Sequence, residues 1–238
     1  MKNLDIRRSL WCTGILTCWV FVPAARAAEP PPGAPPSESD ALYTMGLNIG
    51  QQLHQSGVTS DVPIKRVEQG IRDGLAGKRV LAADQMRLTA FLHDSAEAAA
   101  VRNAAAAREF LARHGKEPGV TTTSSGLQYK ILSEGAADGH APQPGDQVTV
   151  SFRGTLLDGS EFDSSSKPGT ASSVQVNGVM KAWTEALQLM KPGARWQLWV
   201  PPDLGFGAVS RSGVPGGSLL IYDLQLLSVA PALSAAGK

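Results

Sequence analysis

The chain has 238 residues, enough for one or two domains, and 42% of them are hydrophobic and 18% charged, as in ordinary soluble globular proteins. The formal net charge is +1 and the body of the chain contains no basic block, which argues against a general nucleic-acid binder. Composition alone does not choose among the remaining functions.

The first 27 residues have the pattern of a secretory signal peptide: basic residues, an apolar run, and the small-x-small cleavage site Ala25-Arg26-Ala27. The apolar run is about 13 residues, shorter than the roughly 20 of a transmembrane helix. An uncleaved anchor is the alternative. Cys12 and Cys18 both lie in this segment, so the mature chain has neither a disulfide framework nor a thiol nucleophile. We expect an exported protein that is periplasmic, attached to the outer membrane or secreted.

Residues 28–40 are rich in proline and small polar residues and are predicted to form a disordered leader. Two amphipathic helices follow within residues 41–83. The first ends near Gly57, and the second runs from Asp61 and Pro63 to Gly77. Their apolar stripes, at spacings of three and four, contain Leu42, Met45, Ile49, Leu53, Ile64, Val67, Ile71 and Leu75.

Two short helices cannot bury these stripes by themselves. The same pair from a second chain would cover them in an isologous two-fold contact, so residues 41–83 are predicted to be a helical dimerisation region of a homodimer. The alternative is that the stripes pack back on the following helix of the same chain.

Residues 84–117 are predicted to form a long connecting helix, because residues 84–114 contain neither glycine nor proline. Its middle is mostly alanine, which favours the helix without needing a core around it and suits a stalk. Leu88, Phe91 and Leu92 are expected to pack on the dimerisation region. Phe110 and Leu111 are expected to contact the domain that follows.

Residues 118–230 read as about five short strands and one short helix, an α+β domain with an antiparallel sheet wrapped on the helix. The most informative run is VTVSFRGTLLDGSEFDSS, residues 148–165. It opens as a strand with one buried face; Gly154 marks a bulge or a close backbone approach, and Asp158-Gly159 a tight turn. A polar flap over residues 164–170 follows, and residues 231–238 are predicted to be a flexible tail.

This run resembles the signature of the FKBP-type peptidyl-prolyl cis/trans isomerases, roughly V-x-V-x-Y-x-G-x-L-x-D-G-x-x-F-D-S-S. Further matches come in the family's order: Val179-Met180 before Trp183, then Phe206-Gly207, then the closing strand at residues 220–224. The resemblance covers about residues 120 to 230. The helices before it resemble the dimerisation region of the two-domain Mip and FkpA subgroup.

The resemblance implies isomerisation of X-Pro bonds of exported proteins in an apolar pocket, with no cofactor, metal or covalent intermediate. Its implied partners are proline-containing unfolded or exported polypeptides and macrolide inhibitors of this family. Asp163, Phe206 and Tyr222 are the implied catalytic residues. The implied substrate-binding residues are Phe152, Phe162, Val179, Met180, Trp183 and Val214.

The chain departs from the family pattern at four places in this set. Phe152 and Phe206 stand where tyrosine is usual, Met180 replaces an isoleucine, and Ala182 replaces a glycine. The family's rim tyrosine donates a hydrogen bond to the bound carbonyl, which Phe206 cannot do. A neutral hydrogen bond contributes about 0.5 to 1.5 kcal/mol, so activity and macrolide affinity are expected to be lower by about three- to tenfold.

Two other functions compete with the isomerase. The first is a dimeric periplasmic chaperone whose isomerase activity is secondary; it rests on Trp199, expected as an exposed apolar patch on the strand face opposite Leu198 and Val200. The second is a pocket that binds ligands without catalysing isomerisation.

The histidines share no metal-ligand spacing and are expected on the surface: His54, His93, His114 and His140.

Overall fold

The computed structural model describes residues 37–165, 171–211 and 213–231. The predicted signal peptide, residues 28–36 of the predicted leader, residues 166–170 of the predicted flap and residues 232–238 of the predicted tail lie outside this part. The chain divides into a short unit that ends at Tyr43 and a larger compact unit that begins at Thr44.

Three helices precede the sheet: α1 (Glu38–Gln55), α2 (Ile64–Leu75) and α3 (Ala82–His114). Helix α1 begins inside the segment predicted to be a disordered leader, so that prediction was wrong for residues 38–40. The helix can begin there because Ser37 and Asp40 form a capping box. Ser37 Oγ accepts from the Asp40 N–H at 3.1 Å and Asp40 Oδ2 accepts from the Ser37 N–H at 3.3 Å, so free donors at the helix start are satisfied.

The apolar stripe of α2 is exposed within one chain. Neither α1 nor α2 contains a buried residue, and Leu75 is 86% exposed. The turn between the two helices does pack against α3: Gly57 and Val58 are buried, and a Cβ added at Gly57 would lie 2.6 Å from Ser95 O. The turn between α1 and α2 therefore packs back on α3, as the alternative prediction had it, whereas the apolar stripe of α2 does not.

Helix α3 is packed against the domain that follows it, unlike the bare stalk that its alanines led us to expect. Ala99, Ala100 and Ala107 are buried. Trp199, predicted to be an exposed patch, is only 6% exposed. That prediction was wrong because α3 covers this face: Trp199 packs in one cluster with Ala107, and the expected contact of Phe110 and Leu111 with this domain is confirmed there.

His114, at the end of α3, is also buried, which corrects its predicted surface position. Its Nδ1 lies 2.8 Å from Gln128 Oε1, while Gln128 Nε2 donates to Leu111 O at 2.8 Å. The Gln128 amide thus points its oxygen at His114, which fixes the His114 proton on Nδ1 in the neutral ring. The ring centroids of His114 and Trp199 are 3.9 Å apart. The other three histidines are exposed, as expected.

The described strands form one antiparallel sheet in the order β1-β2-β6-β7-β3-β4, and β5 also pairs with β3. The short helix α4 (Lys181–Leu187) packs on its inner face, where buried side chains of β3, β6, β7 and α4 form the main core. The predicted α+β class, a sheet wrapped on one short helix, is confirmed. The strands are β1 (Thr121–Thr122), β2 (Gln128–Ser133), β3 (Gln147–Thr155), β4 (Glu161–Ser164), β5 (Ser172–Gln175), β6 (Arg195–Val200) and β7 (Leu220–Ala230).

Candidate active site

Strand β3 carries the first wall of the candidate site. Val148 and Val150 are fully buried, and Phe152 continues the same face into the core. Its ring lies 4.9 Å from that of Trp183, edge to face. Trp183 is the third residue of α4, and only 5% of it is exposed. The alternation of β3 and the position of Trp183 on α4 thus bring wall and floor together.

Gly154 is the position at which two further rings approach the strand. The pairing of β3 with β4 shifts register between Gly154 and Thr155, which is the predicted bulge. A Cβ added at Gly154 would lie 2.7 Å from Phe162 Cζ and 2.9 Å from Tyr222 Cε1. The predicted close approach is therefore made by the rings of Phe162 and Tyr222, and any side chain at Gly154 would displace them.

Five rings form what we call the aromatic cluster: Phe152, Phe162, Trp183, Phe206 and Tyr222. Tyr222 lies at its centre, with ring centroids 5.2 Å from Trp183, 5.6 Å from Phe162 and 6.2 Å from Phe152. Phe206 extends the cluster through Phe162, at 6.2 Å. Each pair meets edge to face, the arrangement that the ring quadrupoles favour.

Eight of the nine predicted site residues lie together. Val214 belongs to the same buried core as Trp183 and Tyr222, and Val179 and Met180 pack against it, as do the other three rings. Val179 and Met180 reach this position because they directly precede α4. The structure therefore assembles residues from four separate parts of the sequence into one apolar site.

Asp163, the ninth residue, is exposed at the edge of the aromatic cluster. Its Oδ1 accepts a hydrogen bond from the Ser164 N–H at 2.8 Å. Its charge also acts on Tyr222: burial first, and then the Asp163 carboxylate, raise the pKa of the Tyr222 phenol well above its usual range. The site thus combines one carboxylate with one phenol that stays neutral.

Ser165 is a residue of this site that sequence analysis did not single out. Its Oγ accepts from the Phe152 N–H at 2.7 Å, and its own N–H donates to Phe152 O at 2.9 Å. These bonds hold the backbone of the Phe152 wall. The signal was present as the serine pair that ends the signature, but a sequence does not show which backbone such a hydroxyl will reach.

This set of side chains suits a reaction that needs no nucleophile. Rotation about a peptide bond must overcome about 18 to 20 kcal/mol of amide resonance. In the twisted transition state the carbonyl has lost part of its polarity, so an apolar surface disfavours the planar amide more than the twisted one. Aromatic and aliphatic walls beside one carboxylate can do this to a bound proline.

Comparison with known proteins identifies the family to which this chain is similar. Residues 139–227 match the family model of FKBP-type peptidyl-prolyl cis-trans isomerases, and residues 38–131 match the model of the domain amino-terminal to such isomerases. The chain is 38% identical over 205 residues to the outer membrane protein MIP of Legionella longbeachae, an alignment that covers 81% of this chain and 86% of that protein.

The chain belongs to the FKBP-type peptidyl-prolyl cis-trans isomerases. Within this family it falls in the two-domain Mip and FkpA subgroup. It is 33% identical over 237 residues to the isomerase FkpA of Escherichia coli K12, covering 90% of this chain and 86% of FkpA. The crystal structure of FkpA from Escherichia coli superimposes with a TM-score of 0.59 at 32% identity, covering 84% of this chain and all of that one.

The raised pKa of Tyr222 predicts a loss of stability in alkali for this FKBP-type isomerase. An unfolded tyrosine ionises near pH 10, whereas folded Tyr222 keeps its proton at higher pH. Above about pH 10 the unfolded state therefore binds fewer protons, and the free energy of unfolding falls by up to about 1.4 kcal/mol per pH unit through this group.

Urea unfolding of the wild type and of Tyr222→Phe from about pH 8 to 11 measures this effect, because the other titrating groups are common to both. The stability advantage of the wild type over the variant should be constant up to about pH 9.5 and then shrink. A difference that stays constant to pH 11 would show that folded Tyr222 ionises normally.

Proposed function

We propose that this isomerase acts on X-Pro bonds of exported polypeptides, with the proline ring held in the aromatic cluster and no metal ion or covalent intermediate. The observation that carries the proposal is the edge-to-face assembly of five rings around buried Tyr222. It gathers apolar rings from positions that match the family pattern, which is the chemistry that binding a proline ring requires.

The proposal gives the site residues distinct roles. Trp183 is the floor under the proline, and Phe152, Phe162, Val179 and Met180 are walls that exclude water. Phe206 and Val214 form the rim. Asp163 places a negative charge beside the reacting amide. Tyr222 supplies a neutral phenol that can donate a hydrogen bond, and its raised pKa extends this to alkaline pH.

Action outside the cytoplasm is supported by the signal-peptide pattern of residues 1–27 and by the similarity to MIP of Legionella longbeachae, an outer membrane protein. None of the helices in the described part of the chain is long and apolar enough to cross a membrane. We propose that the mature protein meets its substrates in the periplasm, free or associated with the outer membrane, or after secretion.

The cis-to-trans rate of an X-Pro peptide, measured with and without a macrolide of the class that inhibits this family, tests the proposal. Uncatalysed exchange takes tens to hundreds of seconds, so acceleration is easily seen. We expect the mature chain to accelerate exchange and the macrolide to abolish the acceleration. Macrolide binding without acceleration would contradict the proposal and leave a pocket that only binds.

A pair of variants places the activity in this site. Asp163→Asn removes the charge of an exposed side chain and is expected to lower kcat/KM by about three- to tenfold, the equivalent of roughly 1 kcal/mol. Asp138→Asn is the matched control, because it removes the same charge from an exposed aspartate in the loop before β3. Equal effects of the two variants would mean that only the overall charge matters.

Phe206→Tyr tests the explanation for reduced activity. Phe206 is partly exposed and contacts Phe162, so a hydroxyl there can reach both solvent and a bound carbonyl. A neutral hydrogen bond of about 0.5 to 1.5 kcal/mol should raise kcat/KM by about two- to tenfold. Phe91→Tyr, on the exposed side of α3, adds the same hydroxyl away from the site and should change nothing.

We also propose a homodimer through α1 and α2, supported by their exposed apolar stripes. Met45 is 60% exposed, and Ile64 and Ile71 are 60% and 46% exposed. Contiguous exposed apolar faces are typical of interaction surfaces, and a two-fold contact between identical helix pairs would bury both.

Sedimentation of the mature protein tests the dimer. We expect a single species of twice the chain mass for the wild type and for Lys65→Glu, which changes a polar position of α2. Ile71→Glu should dissociate into single chains, because the interface would have to bury an unpaired carboxylate. A wild type that sediments as one chain at micromolar concentration would refute this interface.

A further inference from the structure

Helix α3 touches the loop that carries the two rim residues. We call the described residues 205–211 and 213–219 the rim loop. Gly216 and Gly217 of this loop are buried. A Cβ added at Gly217 would lie 2.1 Å from Ala100 O of α3, and one added at Gly216 would lie 3.2 Å from Ala100 Cβ. The helix and loop backbones are therefore in direct contact.

A hydrogen bond fixes the position of the rim loop along α3. Asn103 Nδ2 donates to Gly216 O at 3.0 Å. Asn103 follows Ala100 by three residues and so lies on the same face of α3. The alanine lets the loop approach, and the asparagine fixes where along the helix the loop sits.

The held backbone is linked to both rim residues. The Gly217 N–H donates to Gly207 O at 2.8 Å, and Gly207 directly follows Phe206. Val214, two residues before Gly216, exchanges two backbone hydrogen bonds with Arg211, at 2.7 and 2.9 Å. A shift of Gly216 and Gly217 would therefore move Phe206 and Val214, since few rotatable bonds separate them from the contact.

We propose that Ala100 and Asn103 of α3 are positioning residues for the rim of the proline pocket. The connecting helix then does more than carry the catalytic domain, because its register on the rim loop sets the positions of Phe206 and Val214. The inference rests on the proposed function for what the rim does; the contact itself can be tested without it.

The test uses the full mature chain and three variants. Asn103→Leu keeps the number and branching of the side-chain heavy atoms and removes the donor. Ala100→Leu inserts a side chain where the loop must approach. Ala105→Leu makes the same change at an exposed alanine of α3 and is the control. We expect kcat/KM toward an X-Pro peptide and the affinity for the macrolide to fall three- to tenfold in the first two variants and to be unchanged in the third.

A spectroscopic measurement separates positioning from general destabilisation. In protein labelled with ¹⁵N-glycine, the amide resonances of Gly207 and Gly217 should shift in Asn103→Leu and Ala100→Leu. Those of Gly178 and of Gly135, which packs against Pro192 away from the rim loop, should stay in place. If Ala100→Leu does not fold, Asn103→Leu still provides the test, because it adds no side-chain heavy atom to the contact.

Two results would overturn the inference. One is unchanged rim resonances together with kcat/KM within twofold of the wild type in both variants. The other is a shift of all four glycine resonances with a lowered Tm, which would assign the loss of activity to global destabilisation. If the wild type itself does not catalyse isomerisation, the proposed function fails, and the resonances and the macrolide affinity still decide whether α3 sets the rim.

Discussion

The candidate site depends on the absence of a side chain at Gly154. The rings of Phe162 and Tyr222 occupy the space that a Cβ would fill, at 2.7 and 2.9 Å, and through them the cluster connects to Phe206 on one side and to Trp183 on the other. An alanine here would force the rings apart, and overpacking of this kind typically costs about 1 to 3 kcal/mol. The packing of the aromatic cluster thus depends on the backbone of β3 at Gly154.

Glycines also allow close contact between elements elsewhere in the larger unit. Gly57 lets the turn between α1 and α2 reach Ser95 of α3, and Gly217 lets the rim loop reach Ala100. Both contacts fall within about two turns of α3, where its alanines are. Alanine in this helix therefore serves close approach of backbones as well as helix propensity.

Much of the fold could be predicted because its signals are local. Alternation in β3, the glycine stop after α1 and the run without glycine or proline in α3 each depend on neighbouring residues. The family signature then supplied the members of the site. The structure brings eight of them together, but their roles stay a prediction, since placement in one cluster does not establish catalysis.

The wrong predictions for Trp199 and His114 share one physical cause. Each residue is buried by an element that is distant in sequence, and such burial leaves no signal in the neighbouring residues. The sequence predicts Trp199 and His114 to be surface residues because each has polar or alternating neighbours. They are 85 residues apart in sequence, yet their rings are in contact. Gln128 adds to this contact between helix and sheet, because its side chain is hydrogen-bonded to both His114 and Leu111. Each of these residues is ordinary in its own segment, and only the packed helix and sheet make them a unit.

The contact between the end of α3 and the sheet is one of three that attach this helix to the rest of the chain. Helix α3 is fixed to the sheet at its end by Trp199, His114 and Gln128, and to the rim loop by Asn103. On an adjacent face it holds the turn between α1 and α2, where Arg102 Nη2 donates to Gly57 O at 3.3 Å. The contacts with Gly57 and with Gly216 lie on neighbouring residues of α3, Arg102 and Asn103. The same turn of α3 therefore holds both the turn between α1 and α2 and the rim loop that carries Phe206 and Val214.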